Sequence, residues 1–84
     1  MNSELKVKVD NYLRRAKPLF EKLEIQRPER IEIKRITEEF KEMAISYYKD
    51  ALHFYQKKEY ENALAALEYA EGWLDAGKRL GIFR

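Results

Sequence analysis

From Ala63 to Gly77 the chain sets Ala63, Ala66, Leu67, Ala70, Leu74 and Gly77 at steps of three and four, so one side of a helix is built largely from small residues. Small side chains let the backbone of a second helix come close, and large residues on that partner must fill the remaining space. The segment just before supplies them. Ile33, Ile36, Phe40, Met43, Tyr47 and Phe54 form one stripe and Ala44, Tyr48, Ala51 and Tyr55 the adjoining one, an apolar arc wide enough to touch two neighbours.

The second neighbour is the start of the chain. Leu5, Val9, Tyr12, Ala16, Leu19 and Leu23 follow steps of four and three. Ser3 is a natural N-cap, and Pro18 removes one backbone bond and should bend the helix near Arg14 to Pro18. The first break is the stretch from Glu24 to Arg30, where Pro28 suits the first turn of a helix and Glu29 its positive end. The second break has neither Gly nor Pro and reads as a tight turn around Lys58. Gly81 is the natural stop of the last helix. The prediction is an all-α, up-down-up three-helix bundle in a single domain, 1–84, with helix one about 3–23, helix two about 28–57 and helix three about 59–80. At 1.5 Å per residue, helix two is then about 45 Å long. Running back along it, helix three should bring Ile82 and Phe83 over Ile33 and Ile36. With 84 residues the chain buries only roughly 60 to 65% of its unfolded surface, so one compact bundle is the natural solution.

Charge is distributed unevenly. Residues 1–35 hold ten bases against six acids, whereas residues 59–75 hold five acids (Glu59, Glu61, Glu68, Glu71, Asp75) and no base. The two should attract each other or different partners. The chain has no cysteine, which removes disulfides, thiolate nucleophiles and thiolate zinc sites and fits a reducing cytoplasm. Its first fifteen residues carry charges too frequently for a signal peptide or a membrane span. A charged fraction of 38% with few uncharged polar residues is a bias of proteins from hot environments.

Tyr47, Ala51, Phe54, Tyr60, Ala63, Leu67 and Ala70 alternate aromatic, small and large residues in a way that resembles a tetratricopeptide helix pair, a spacing shared with the three-helix microtubule-interacting-and-transport domain. A more specific resemblance runs from about Phe40 to Phe83. Asp50-Ala51 after the tyrosines, Tyr60, Ala63, Tyr69-Ala70, Gly72, Leu74-Asp75-Ala76-Gly77 and Leu80-Gly81 are similar to the short archaeal family catalogued as domain of unknown function number 357. That resemblance implies a compact three-helix bundle and carries no assigned activity.

Candidate chemistry is sparse. Asp50 and Glu71 interrupt apolar stripes on facing helices, so two carboxylates could share a partly buried site and hold a divalent cation; the favoured reading has each accepting a hydrogen bond from a tyrosine or pairing with Arg14 or Arg15. His53 has no serine or cysteine near it in sequence and reads as a surface or boundary residue. Asp75, Lys78 and Arg79 are spaced for ion pairs within one helix end. Gly72 and Gly77 inside a helix each cost about 1 kcal/mol relative to alanine, which suggests a close backbone contact there. Lys8, Arg15 and Lys22 recur every seven residues, with Lys6 and Arg14 nearby, and form a basic stripe that a phosphate backbone could use.

These features predict a non-enzymatic interaction or structural module without cofactor or metal. It would present a helix face, including Tyr48, Tyr55, Tyr69 or Trp73 and the carboxylates Asp50, Glu71 and Asp75, to a protein partner or to a second copy. The alternative is a nucleic-acid-binding accessory protein using Lys8, Arg14, Arg15 and Lys22. A membrane partner is not expected.

Overall fold

The computed structural model of the chain describes residues 3–25 and 31–83, and for residues 31–33 the backbone alone. Three helices follow one another: α1 (Ser3–Glu21), α2 (Ile31–Gln56) and α3 (Tyr60–Arg79). Among the described residues there is no strand, only an isolated antiparallel bridge between Ile25 and Phe83. The proposed helix start at Pro28 lies outside the described residues. Ring contacts give the directions. Phe40 meets Trp73 and Tyr47 meets Tyr69, so α2 and α3 run antiparallel; Phe20 stacks on Tyr48 while the Tyr55 hydroxyl reaches Asp10, so α1 and α2 do too. The protein is an all-α three-helix bundle, up-down-up, whose most extensive pairing is α2 with α3.

That pairing follows from side-chain size. Ala44 and Ala51 of α2 and Ala63, Ala66 and Ala70 of α3 are buried in one cluster with Leu67, which has no exposed surface. Alanine brings no side-chain entropy cost to a helix and lets the two backbones close up. Helix α1 adds Val9, Ala16 and Phe20 to the same cluster, and Leu23 joins it from just beyond the helix end. Phe20 lies on Tyr48 with ring centroids 4.9 Å apart and planes 6° apart. The single buried polar residue among those described, Thr37, answers its own hydroxyl by donating to the Lys34 carbonyl at 2.8 Å.

Both ends of the α2–α3 hairpin are closed by the same backbone device. At the end of α2 the Lys58 N–H donates to the Tyr55 carbonyl and the Glu59 N–H to the Phe54 carbonyl, each at 2.9 Å, with Lys58 at φ 63°. At the end of α3 the Gly81 N–H donates to the Lys78 carbonyl and the Ile82 N–H to the Gly77 carbonyl, with Gly81 at φ 75°. These are two Schellman caps, which need one left-handed residue each. Gly81 occupies that conformation freely, whereas a side chain there costs roughly 1–2 kcal/mol. Lys58→Gly is therefore expected to raise stability by about 0.5–1 kcal/mol, after the larger unfolded-state entropy of glycine is deducted. Chemical denaturation checks it, and an unchanged or lower midpoint would mean that the Lys58 side chain contributes more than its backbone strain removes.

The chain end departs from the sequence expectation. Ile82 and Phe83 are buried, but Ile36 is half exposed, and the Ile33 side chain lies outside the described residues. Phe83 instead packs its ring against Gly77 and bridges to Ile25 in the loop after α1. The cap explains the difference. By turning the chain through Gly81 and holding both Ile82 and Phe83 N–H groups on the Gly77 carbonyl, it folds the last residues back over α3.

Candidate functional site

Five large apolar side chains are exposed among the described residues: Val7 and Leu19 on α1, the latter set on the buried stripe by its spacing but left facing solvent, and Ile36, Tyr69 and Leu80 at the α2–α3 pair. Ile36, Phe40 and Tyr47 stand at i, i+4 and i+11 on α2, and Tyr69, Trp73 and the C-cap residue Leu80 at the same intervals along α3, so each set shares one helix face. Ring contacts join the two rows. Phe40 meets Trp73 edge-on at 5.1 Å and Tyr47 stacks on Tyr69 at 5.2 Å. Ile36 is 50% exposed, Tyr69 63% and Leu80 67%. Between the rows lies a groove of about 290 Å³ lined by Phe40, Glu68, Tyr69, Gly72, Trp73 and Ala76. Gly72 forms part of it with open space where a Cβ would stand, so of the two helix glycines only Gly77 makes the close contact expected of both.

The other proposed aromatic anchors are engaged inside the bundle. Tyr48 is buried and stacked on Phe20, so it presents nothing to a partner; burial pushes its hydroxyl ionisation up. Tyr55 is part of a clamp that the sequence reading missed. Its hydroxyl donates to Asp10, the Lys6 ammonium donates to Asp10 at 3.0 Å and to the Tyr55 oxygen at 3.2 Å, and Lys6 also lies 5.5 Å from the Tyr55 ring centre. The start of α1 is thereby tied to the end of α2, 45 residues away in sequence. Lys6 and Asp10 are a local i,i+4 pair on one helix, although Lys6 reads from the sequence as part of the basic stripe, and nothing in the chain announces Tyr55 as the third member of the pair.

The clamp sets an acid-side pH dependence. Hydrogen bonds from Tyr55 and then Lys6 hold the Asp10 carboxyl below its ordinary range, and the Tyr55 oxygen and then Asp10 raise Lys6 above its own. Glu59 is also lowered, first by the Asn62 amide and then by Lys57. A depressed carboxyl contributes stability that is complete above its unfolded value near about 4 and is lost as pH falls through the folded value. Asp10→Asn is therefore expected to flatten the acid limb of a Tm-against-pH curve; an acid limb identical to wild type would show that the clamp does not bear on folding.

Tyr12 gives the opposite limb. Its hydroxyl is buried and directed toward the Glu71 carboxylate without meeting any partner in good hydrogen-bond geometry among the described residues, and burial first, then Glu71 and Glu68, pushes its ionisation up to about 12. Stability from a raised tyrosine is complete below about 10 and is lost as pH rises beyond it. Tyr12→Phe is expected to flatten that alkaline limb and, by removing an unsatisfied polar atom, to change stability at pH 7 by no more than about 1 kcal/mol in the unfavourable direction. A larger loss would reveal a hydrogen bond that the hydroxyl makes in solution.

Tyr12 also locates the charged residues. Arg15 lies over its ring at 5.5 Å, and Glu68 and Glu71 act on its hydroxyl, so the basic row of α1 borders acids of α3. Lys8, Arg14, Arg15 and Lys22 are all exposed, and Arg14 donates to the Asn11 side chain at 3.2 Å. Asp50, Glu71 and Asp75 are exposed as well. Asp50 lies at a larger open groove of about 770 Å³ with Ile25, Lys41, Glu42, Ile45 and Lys49, whereas Glu71 neighbours Tyr12. The two carboxylates thus have different surroundings, because they leave their helices toward solvent and not into the seam. No group of three or more metal-capable side chains occurs among the described residues, and no helix among them is long and apolar enough to cross a membrane.

Comparison with known proteins adds a lineage. A family model described as "Protein of unknown function (DUF357)" matches residues 11–83, which is most of the chain. No curated protein and no solved structure matches.

Proposed function

The chain belongs to the DUF357 family of proteins of unknown function, and we propose from its own surface that it is a protein-interaction module working through the aromatic face of α2 and α3. The observation that carries the reading is the placement of Ile36, Tyr69 and Leu80, three large apolar residues at least half exposed on one continuous face. Exposed aromatic and aliphatic side chains gathered around a groove are the usual anchors of a protein interface. Here Trp73 and Tyr69 are already oriented by Phe40 and Tyr47, so little side-chain freedom is lost on docking. The reading takes the whole chain as one domain in the cytoplasm, in keeping with its lack of cysteine, and in an archaeal, heat-adapted lineage, in keeping with its resemblance and its charge content.

Nucleic-acid binding through Lys8, Arg14, Arg15 and Lys22 is less well supported, since Glu68 and Glu71 stand beside Arg15 around Tyr12 and would repel a phosphate backbone. An affinity capture from native lysate, run with and without nuclease and with Tyr69→Lys alongside wild type, separates the readings. Partners that survive nuclease and are lost with Tyr69→Lys are expected. Partners lost with nuclease and indifferent to residue 69 would overturn the interaction-module reading in favour of the basic row.

A further inference from the structure

We propose that the groove between α2 and α3 receives a helix of a protein partner whose apolar stripe is flanked by Lys or Arg, an inference that rests on the interaction-module reading above. Three features of the groove specify that occupant. Its volume of about 290 Å³ takes one or two apolar side chains, which suits the anchors of a helix more than a compact ligand. Its floor is open at Gly72, where, beyond α3's own neighbouring backbone, no atom of the described residues lies within 4 Å of a Cβ position, so a second helix can come close to the α3 backbone.

The third feature is charge. Glu61, Glu68 and Asp75 recur every seven residues on one row of α3, all exposed, and Glu68 lines the groove itself. Between Tyr60 and Gly77 α3 carries no base. An apolar helix flanked by bases at the same interval would set each base against one of these acids, which steers encounter and fixes register more than it adds affinity. A second copy docking by the same face would bring acid row against acid row. Its basic row, Lys8, Arg15 and Lys22, already borders acids of its own α3 at Arg15.

Trp73 is the only tryptophan of the chain and lies in the groove, so its emission reports occupancy directly. The probe is a tryptophan-free amphipathic peptide of about 18 residues made of Leu and Lys, long enough to form a helix on binding, with a Leu and Glu peptide of the same pattern as its counterpart. The Leu/Lys peptide is expected to shift Trp73 emission to shorter wavelength, saturably and less at high salt. Gly72→Gln, which projects into open space and so leaves the bundle folded, is expected to weaken that binding at least about tenfold while its Tm stays at or above wild type. Equal or tighter binding of the Leu/Glu peptide would overturn the basic partner but leave the aromatic face as a docking surface. A shift that depends on protein concentration alone would overturn it in favour of a second copy. No shift under any of these conditions would overturn the inference, and the reading it rests on would then stand or fall on the Tyr69→Lys capture.

Discussion

Replacing Gly77 by alanine is expected to destabilise the protein by about 1–2 kcal/mol, although alanine is the better helix former by about 1 kcal/mol. The sign is decided by Phe83. A Cβ at residue 77 would overlap Cδ2 and Cε2 of the Phe83 ring, which is only 3% exposed in its slot against α3. The ring must leave, and losing its burial costs about 2–3 kcal/mol, more than the helix gains. Two comparisons isolate the cause. In a Phe83→Ala background the same Gly77→Ala change is expected to stabilise by about 1 kcal/mol, because only the helix preference remains. Gly72→Ala is expected to stabilise by a similar amount in the wild type, since none of the described residues brings a packing atom within 4 Å of that position. Equilibrium denaturation of the four-member cycle measures the coupling, and Gly77→Ala effects that are equal in both backgrounds would show that Phe83 does not occupy this slot.

Leu67→Ala is expected to have the largest effect of any single core truncation, a loss of about 3–5 kcal/mol. Leu67 has no exposed surface and belongs to the buried cluster that holds the alanines of both α2 and α3. The alanines of that cluster have no longer side chain to swing into a cavity, so part of any relaxation requires the helix backbones to move together, which keeps the cavity term large. A domain of this length has a total stability of only about 4–13 kcal/mol, so the variant is expected to be partly unfolded at 37 °C. Its urea midpoint checks this. A loss below about 1.5 kcal/mol would mean that the helix pair closes up readily, and the alanine seam would then be looser than its burial implies.

How much of this was legible depends on the range of the interactions involved. The three helices, the α2–α3 hairpin and its tight seam follow from apolar steps of three and four and from alanine size, properties that each segment carries by itself. The turn at Lys58 was visible as a change of phase, but its left-handed backbone was not, because lysine gives no sign of it. Trp73 and Tyr69 were among the aromatics singled out, and so was Tyr48; periodicity could not separate them, since a stripe wide enough for two neighbours looks the same whether or not both neighbours are present. Only the position of α1 decides it. Phe20 covers Tyr48 and leaves the side with Tyr69 and Trp73 uncovered.

The same division holds for the polar and glycine positions. Sequence by itself determined that this chain folds as three amphipathic helices with a small-residue seam, because helix formation and hydrophobic pattern are read out over a few turns. Tertiary structure decided that Asp10 is bound by Tyr55 as well as Lys6, that Gly77 is filled by Phe83 while Gly72 stays open, and that Glu68 of α3 lines an aromatic groove. Each of these joins residues whose relative placement is set by how helices dock and how the chain end turns back. A spacing along one helix cannot contain that information, since it fixes angle about one axis and says nothing about the axis beside it.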